Sequence, residues 1–413
     1  MGKALLMIAF RLPPSAISSG HLRPLGFAKH LPSAGWEPVL LSAKEHAYAD
    51  TDPSSLSLIP DGCHIHRAFS LDATRHLSIR GKYPAVLAQP DRWASWWPAA
   101  VYLGLRLIRR HRVQAIWSTY PIMTAHCVAY TLSRLSGLPW IADFRDPVAS
   151  SVATQDKLTI STQMKWERRV LSRATYSIFT TPGAMRSYAD RYPKIHNEGR
   201  LHMIPNGFNE EDFASLPPYE SSSGDRPLHF VHAGVLYPDG RSPVPFFEAL
   251  ASLRNSGRLP ARGVRVTLRA SGSEERYRAE LDRLGLNEIV TLATHVPYRH
   301  ALAEQAGADA LLLFQGPQFD RQVPAKLYEY LRLGRPIFAL VGEHGDTAAL
   351  LREAGRGELV PLDDVPAIEA GLERLFHALA SGHGRGQRQM DVAKWSRQQG
   401  AFDLAHLLDQ SVR

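Results

Sequence analysis

Short apolar runs and amphipathic stretches alternate along almost the whole chain. Ala4 to Phe10 is apolar, a Pro/Ser/Gly loop runs from Arg11 to Gly20, a helical pattern reaches about Ala34, and Val39 to Ser42 is apolar again. That order predicts a strand, a helix and a second strand. The pattern recurs with Ala115 to Ser118, a helix around Thr124 to Ser136 and Trp140 to Asp143, then with Tyr176 to Thr180 before a helix near Gly183 to Tyr192. Parallel strands covered by helices follow, because each crossover returns the chain in the same direction.

Between Asn206 and Pro227 the pattern breaks into NGFNEEDFASLPPYESSSGDRP, rich in Pro, Ser, Gly and acids, which reads as a linker. A second alternation begins after it. Strands are predicted at His229 to His232, Val264 to Ala270, Ile289 to Ala293, Ala310 to Phe314 and Pro336 to Val341. Helices are predicted at Val244 to Gly257, Glu274 to Gly285, His300 to Gly307, Pro324 to Leu333 and Asp346 to Ala354. The expected organisation is an N-terminal domain over 1–205, a linker over 206–227, a second domain over 228–390, and a helical tail over 391–413 that packs back on the first domain. Ligands in such doubly wound folds bind beyond the carboxyl ends of the strands.

A chain of 413 residues accommodates two such domains. Hydrophobic residues at 44% and charged residues at 21% are those of a globular protein. The formal charge of +8 and the pI near 9.5 favour anionic partners without choosing among them, and are equally those of a basic, soluble surface. Two cysteines, Cys63 and Cys127, lack metal-ligand spacing, so neither a disulfide framework nor a zinc site is expected. Met1 to Phe10 reads as a strand and not an export signal, and no window nears the roughly 20 apolar residues of a spanning helix, so a cytoplasmic protein is expected.

The segment VPAKLYEYLRLGRPI, Val323 to Ile337, carries the most chemistry. Pro324 suits the first turn of a helix, whose outward amides and dipole favour a pyrophosphate. Lys326 adds a mobile positive charge, and Glu329, close to one turn on, can accept hydrogen bonds from a ribose diol. Spacing alone equally allows an ordinary Lys/Glu pair on an amphipathic surface helix.

Together with Ile204 to Asn209 (IPNGFN), Phe230 to Arg241 (FVHAGVLYPDGR), Leu138 to Pro147 (LPWIADFRDP) and Pro90 to Pro98 (PDRWASWWP), that helix makes the chain resemble glycosyltransferase family 4, within the large retaining GT-B group. The resemblance implies an α/β architecture of two Rossmann-like doubly wound domains facing a central cleft. It implies that Glu329 holds the donor ribose, and that Lys326 and the amides of Ala325 to Leu327 cradle the phosphates of a nucleotide diphosphate sugar. Arg241 falls on the basic position that neutralises the departing diphosphate, beyond Gly234. His295 and Val296 match the segment beside the base. Ser18, Ser19, Gly20 and His21 match a small-residue loop near the donor phosphates, although His21 alone reads equally as an exposed helix-start residue.

Two departures stand out. The arginine expected after Gly234 is Val235, and where many members carry a first glutamate this chain has Arg321, which could serve the phosphates or an acidic sugar. On the acceptor side Asp143, Arg145 and Asp146 form a dense charged group at a strand end, where an acceptor hydroxyl needs a base or an orienting partner; Asp146 before Pro147 is also a common turn residue. His126 reads as a core or surface histidine. The resemblance implies transfer with retention, no metal and no other cofactor, with Arg241, Lys326 and helix amides meeting the charge on the leaving group and Arg145 and Asp146 serving the acceptor.

Arg92 to Arg112 places Trp93, Trp96 and Trp97 at one end of a helix and Arg106, Arg109, Arg110, His111 and Arg112 at the other. Such a helix could lie on an anionic membrane near a lipid-linked acceptor, or simply cover the first sheet. Other acceptors consistent with the resemblance are a sugar or a small molecule, and no nucleic-acid motif is present. The competing functions are a nucleotide-sugar epimerase on the same scaffold and a non-catalytic nucleotide- or anion-binding protein.

Overall fold

Strand β1, Lys3–Ile8, is buried on both faces. Ala4, Leu6 and Ile8 enter one apolar cluster while Leu5 and Met7 enter another on the opposite side of the sheet. A run with no polar alternation belongs to a parallel sheet covered by helices on both sides. The computed structural model describes residues 2–16, 18–145, 147–148, 157–214, 216, 226–381 and 392–412. They divide into two compact units, Met1–Gly207 with Lys394–Arg413, and Phe208–Ala393.

In the first unit the strands are β1, β2 (Trp36–Ala43), β3 (Ile65–Ala68), β4 (Val113–Thr119), β5 (Trp140–Phe144), β6 (Tyr176–Phe179) and β7 (Leu201–Met203). They pair in the order β3-β2-β1-β4-β5-β6-β7, all parallel. Helices α1 (Ser18–His30), α2 (Trp96–His111), α3 (Met123–Ser136), α4 (Lys157–Arg173) and α5 (Pro182–Arg191) make the crossovers. The C-terminal helix Arg397–Ser411 completes this unit: Ala401, Leu404 and Leu408 share a cluster with Phe27 and Leu31 of the segment from α1 onward. Asp409 also takes the Lys3 ammonium at 2.7 Å and the Trp36 indole N–H at 3.1 Å. A Cβ on Gly26 of α1 would stand 2.5 Å from Arg397 Cδ, so the two helices meet there at a residue with no side chain.

The second unit holds β8 (Leu228–Ala233), β9 (Val264–Arg269), β10 (Val290–Ala293), β11 (Ala310–Gln315), β12 (Ile337–Val341) and β13 (Glu358–Val360), in the order β10-β9-β8-β11-β12-β13, again all parallel. Its helices are α6 (Val244–Asn255), α7 (Glu274–Leu284), α8 (Tyr298–Ala306), α9 (Ala325–Leu333), α10 (Asp346–Glu353) and α11 (Val365–Ala380). Phe230, Val266, Leu312, Phe314 and Phe338 fill the core beneath α6 and α11. Both units are therefore Rossmann-like, with strand order reversing between β1 and β4 in one and between β8 and β11 in the other. Residues 215 and 217–225 of the expected linker, residues 382–390 at the end of the expected second domain, and residue 391 of the expected tail lie outside the described residues.

Burial favours the sheet-covering reading of Arg92 to Arg112. Trp93 is 8% exposed and Trp96 fully buried, the first tilted and the second edge-on against Phe10, and the Trp97 indole donates to Thr131 Oγ1 at 2.9 Å. Trp93 and Trp96 anchor the start of α2 to the sheet, while Tyr102 further along the helix is exposed. Among the described residues no helix is long and apolar enough to cross a membrane.

Candidate active site

The chain leaves β8 and β11 on opposite sides of the second sheet, which opens a crevice at their carboxyl ends. Directly after β8, Gly234 adopts φ +112°, a conformation reserved for glycine, and its N–H donates to Arg269 O at 2.8 Å. A Cβ there would lie 2.8 Å from Lys326 Nζ. The bare backbone thus admits the ammonium of α9 to the end of β8.

Helix α9 begins one residue later than its proline suggested. Pro324 is the extended N-cap (φ −59°, ψ 133°), and no side chain caps the end. The Leu327 amide donates to Pro324 O at 2.9 Å, so it is not open to a phosphate; Ala325 and Lys326 carry the amides this turn presents. Lys326 is not mobile either. Its Nζ rests 3.2 Å from His232 Nε2, and burial, aided by repulsion from Arg241 and opposed by Glu329, pulls its pKa down to about 7.

His232 explains where that ammonium points. Its Nδ1 lies 2.9 Å from Leu312 O, an atom that can only accept, so Nδ1 carries the proton and Nε2 receives the Lys326 hydrogen bond. Burial first, then Lys326, holds His232 well below the ordinary histidine value, in keeping with a neutral ring. Gly234 O, 3.1 Å from Nε2, is then a contact without a hydrogen bond.

One turn along α9, Glu329 is 6% exposed, and its Oε1 accepts from Tyr298 Oη at 2.9 Å. Tyr298, the first residue of α8, also lies 3.4 Å from Asp212 Oδ2. Arg241 packs against two rings, with its guanidinium carbon 5.3 Å from the Tyr237 centroid and 4.5 Å from that of Phe319. The loops carrying those rings are locked together: Gly316 N donates to Gly240 O at 2.6 Å, and Gln315 Nε2 donates to Phe319 O and Gln322 O at 2.6 and 2.9 Å. His295 and Arg321 are exposed and Val296 half-buried, all on loops at this end of the sheet.

In the first unit His21 is 1% exposed, which removes the reading as a solvent-facing residue. Neither ring nitrogen has a partner, and burial followed by repulsion from Arg145 lowers its pKa to about 4. Arg145 Nη1 donates to Gly20 O at 3.0 Å. Asp143 is placed differently from expectation: it is fully buried, and Arg23 Nε donates to its Oδ2 at 2.8 Å. Arg23 also donates to Pro205 O and Ile204 O at 2.8 and 2.9 Å, so Asp143 helps hold α1 to the end of the first unit. Asp146 lies outside the described residues. His126 is a core residue, 2.7 Å from Ser118 Oγ, with a pKa brought to about 3 by burial. Among the described residues no group of three or more histidine, cysteine or acidic side chains is placed to hold a metal ion.

Residues 22–207 match the glycosyl transferase 4-like domain family. That match covers most of the first unit and none of the second. No curated protein matches it in sequence. Among solved structures it is similar to sucrose-phosphate synthase from Thermosynechococcus elongatus, at 17% identity and a TM-score of 0.69 over 99% of this chain and 98% of that one. It is also similar to Anabaena HepE in complex with UDP and glucose (14%, 0.66, 99% and 100%) and to the apo lipopolysaccharide outer core galactosyltransferase WaaB (14%, 0.62, 98% and 99%). At these identities the structural likeness speaks for the fold.

Three side chains that organise the second unit's site were not singled out from the sequence. His232 sits in a strand that reads as an apolar run, and its contact to Lys326 spans 94 positions. Tyr298 opens a helix whose start was placed two residues later. Gln315 closes β11 as a buried polar residue, which a strand ending in LLLFQ signals by its last letter.

Proposed function

We propose that the chain transfers a glycosyl group from a nucleoside diphosphate sugar to an acceptor hydroxyl, with retention of configuration, in the cytoplasm. The observation that carries this reading is the approach of Lys326 to the bare backbone of Gly234 at the switch point of the second sheet. Lys326, the amides of Ala325 and Lys326, and Arg241 make a basic seat for a diphosphate, and Glu329 oriented by Tyr298 lies where the ribose diol follows. As the bond from sugar to phosphate breaks, charge grows on the diphosphate, and these fixed donors stabilise it without rearrangement. Arg145 and Asp146 serve the acceptor, and the diphosphate charge is met by the protein's own cations and amides without a metal. HepE with UDP and with UDP-glucose supports a nucleotide-sugar donor.

A thermal-shift panel of nucleoside diphosphates tests the donor site. The cognate one should raise the melting temperature, with about 2.7 kcal/mol of added stability at a hundredfold excess over Kd. Glu329→Ala should lose at least tenfold in affinity while melting within a few degrees of the parent without ligand. A panel in which no diphosphate stabilises the folded protein, or a Glu329→Ala variant with undiminished affinity, would overturn the assignment. The anomeric configuration of the product, read by NMR, tests retention.

A further inference from the structure

Between β3 and α2 the chain makes a long excursion from the first sheet, and hydrogen bonds close its neck. Leu71 N–H donates to Ser95 Oγ at 2.8 Å, Ser95 Oγ donates back to Leu71 O at 2.9 Å, and Ala73 N–H donates to Arg92 O at 2.8 Å. Asp72 accepts from Thr74 N–H and Oγ1 at 3.0 and 2.7 Å and pairs with Arg92 at 3.3 Å, while Arg75 donates to Tyr48 O. An excursion whose ends meet in this way is an Ω-loop, a unit held by its own contacts.

Within the loop lies a two-residue hairpin turn. Ile79 N–H donates to Lys82 O at 2.8 Å and Lys82 N–H to Ile79 O at 3.1 Å, and Arg80 and Gly81 between them hold φ of +53° and +76°. Positive φ at both central residues is type I′ geometry, which favours Asn-Gly. Arginine is therefore not the residue the backbone asks for at position 80. Past the turn, Leu87 N–H donates to Pro84 O at 2.9 Å in a 3₁₀ turn over Ala85–Ala88, and Gln89 Nε2 ties the loop to α4 through Thr159 Oγ1 at 2.9 Å.

What this fixed loop exposes is apolar and positively charged. Ile79 is 80% exposed and Val86 72%, and Leu87 is exposed beside it. No acidic residue occurs from Ala73 to Pro90. Of the two acids that bound the stretch, Asp72 is engaged at the neck and Asp91 accepts from Thr124 N–H and Oγ1 at 2.7 and 2.9 Å. Arg80 and Lys82 are exposed, and among the described residues neither forms an ion pair. Single exposed apolar side chains are ordinary. Here three of them flank a pair of unmatched cations on a loop whose conformation is set without them.

We propose that this loop docks the first unit on an anionic lipid bilayer, with Ile79, Val86 and Leu87 entering the boundary between headgroups and acyl chains and Arg80 and Lys82 meeting lipid phosphates. Apolar side chains alone would suit a protein groove as well. Cations with no acid interleaved match a surface of uniform negative charge, and their long stems let the charge stay at the headgroups while apolar neighbours go deeper. The buried indoles of Trp93 and Trp96 take no part, and the docking does not rest on the transferase reading.

The test mixes the full chain with vesicles of phosphatidylcholine alone, or of phosphatidylcholine with phosphatidylglycerol, and floats them on a gradient at low and high salt. The chain should partition onto the anionic vesicles at least tenfold more than onto the neutral ones, and salt should weaken the binding. Ile79→Ser/Val86→Ser should lose at least tenfold in partition. Arg80→Asn/Lys82→Gln should lose roughly twenty-fivefold, about fivefold for each cation near the surface. Both double variants should melt with the parent, since the first replaces exposed side chains and the second gives the turn its preferred Asn-Gly. No binding to anionic vesicles, equal partition onto neutral ones, or undiminished partition of either double variant would overturn the proposal. So would binding of a soluble peptide rich in leucine and glutamate with none to vesicles, which would make the loop a protein contact instead.

Discussion

Arg23 and Asp143 show how a charged residue can mislead at the scale of one side chain. The pair is almost wholly buried, at 4% and 0% side-chain exposure. Removing one partner strands the other charge, so Arg23→Ala should cost about 3–5 kcal/mol of first-unit stability, read by chemical denaturation. The double variant Arg23→Met/Asp143→Leu should recover most of that loss, and a double variant as unstable as the single would show that the ion pair is not the cause. Lys326 supplies a second prediction. With its pKa near 7 it is largely neutral above that pH, and a bound diphosphate raises the value, so binding at pH 8 should take up a proton. Affinity should then fall by up to about tenfold per unit as pH rises from 7 toward the bound-state pKa, and be flat with respect to this group below 7. Calorimetry in two buffers of different ionisation enthalpy measures the uptake, which Lys326→Met should abolish. From sequence, Lys326 and Glu329 were readable because a helix start places them. Arg23 and Asp143 were not paired, since the two lie 120 positions apart and an acid at a strand end reads as chemistry as readily as structure.

At the scale of elements, the turn after β8 and the first turn of α9 act as one part. Gly234→Ala places a methyl group at φ +112° and against the Lys326 ammonium. Its backbone cost is about 1–3 kcal/mol. Diphosphate binding should fall much further than that destabilisation explains, because the displaced Nζ loses its seat. A variant that melts lower but binds normally would show that Lys326 can serve from elsewhere. The long buried strands were legible from their apolar runs, and α9 and α10 from their starts. β3 (IHRA), β7 (LHM) and β13 (ELV) were not, being edge strands of three or four residues with too few letters to show a period. The indoles before and within α2 left a membrane surface and the first sheet equally open, because composition cannot say which face of a helix meets a sheet.

At the scale of the molecule, the first unit is discontinuous in sequence. Deleting 394–413 should strip the cover from Phe27 and Leu31 and lose roughly 1.5–3 kcal/mol for each fully buried leucine such as Leu404 and Leu408. Calorimetry should show a lowered or absent first-unit transition. The nucleoside diphosphate should still stabilise the remaining one; loss of both would mean the second unit does not stand alone.

That arrangement bears on how the protein is made. At about 5–20 residues per second, the ribosome needs on the order of ten to forty seconds to pass through the second unit before the helix that caps the first has emerged. Throughout that interval the nascent first sheet carries an uncovered greasy strip beside α1. Holding factors at the exit tunnel, or a slow final docking step, would therefore govern the yield of active protein more than the folding of either half.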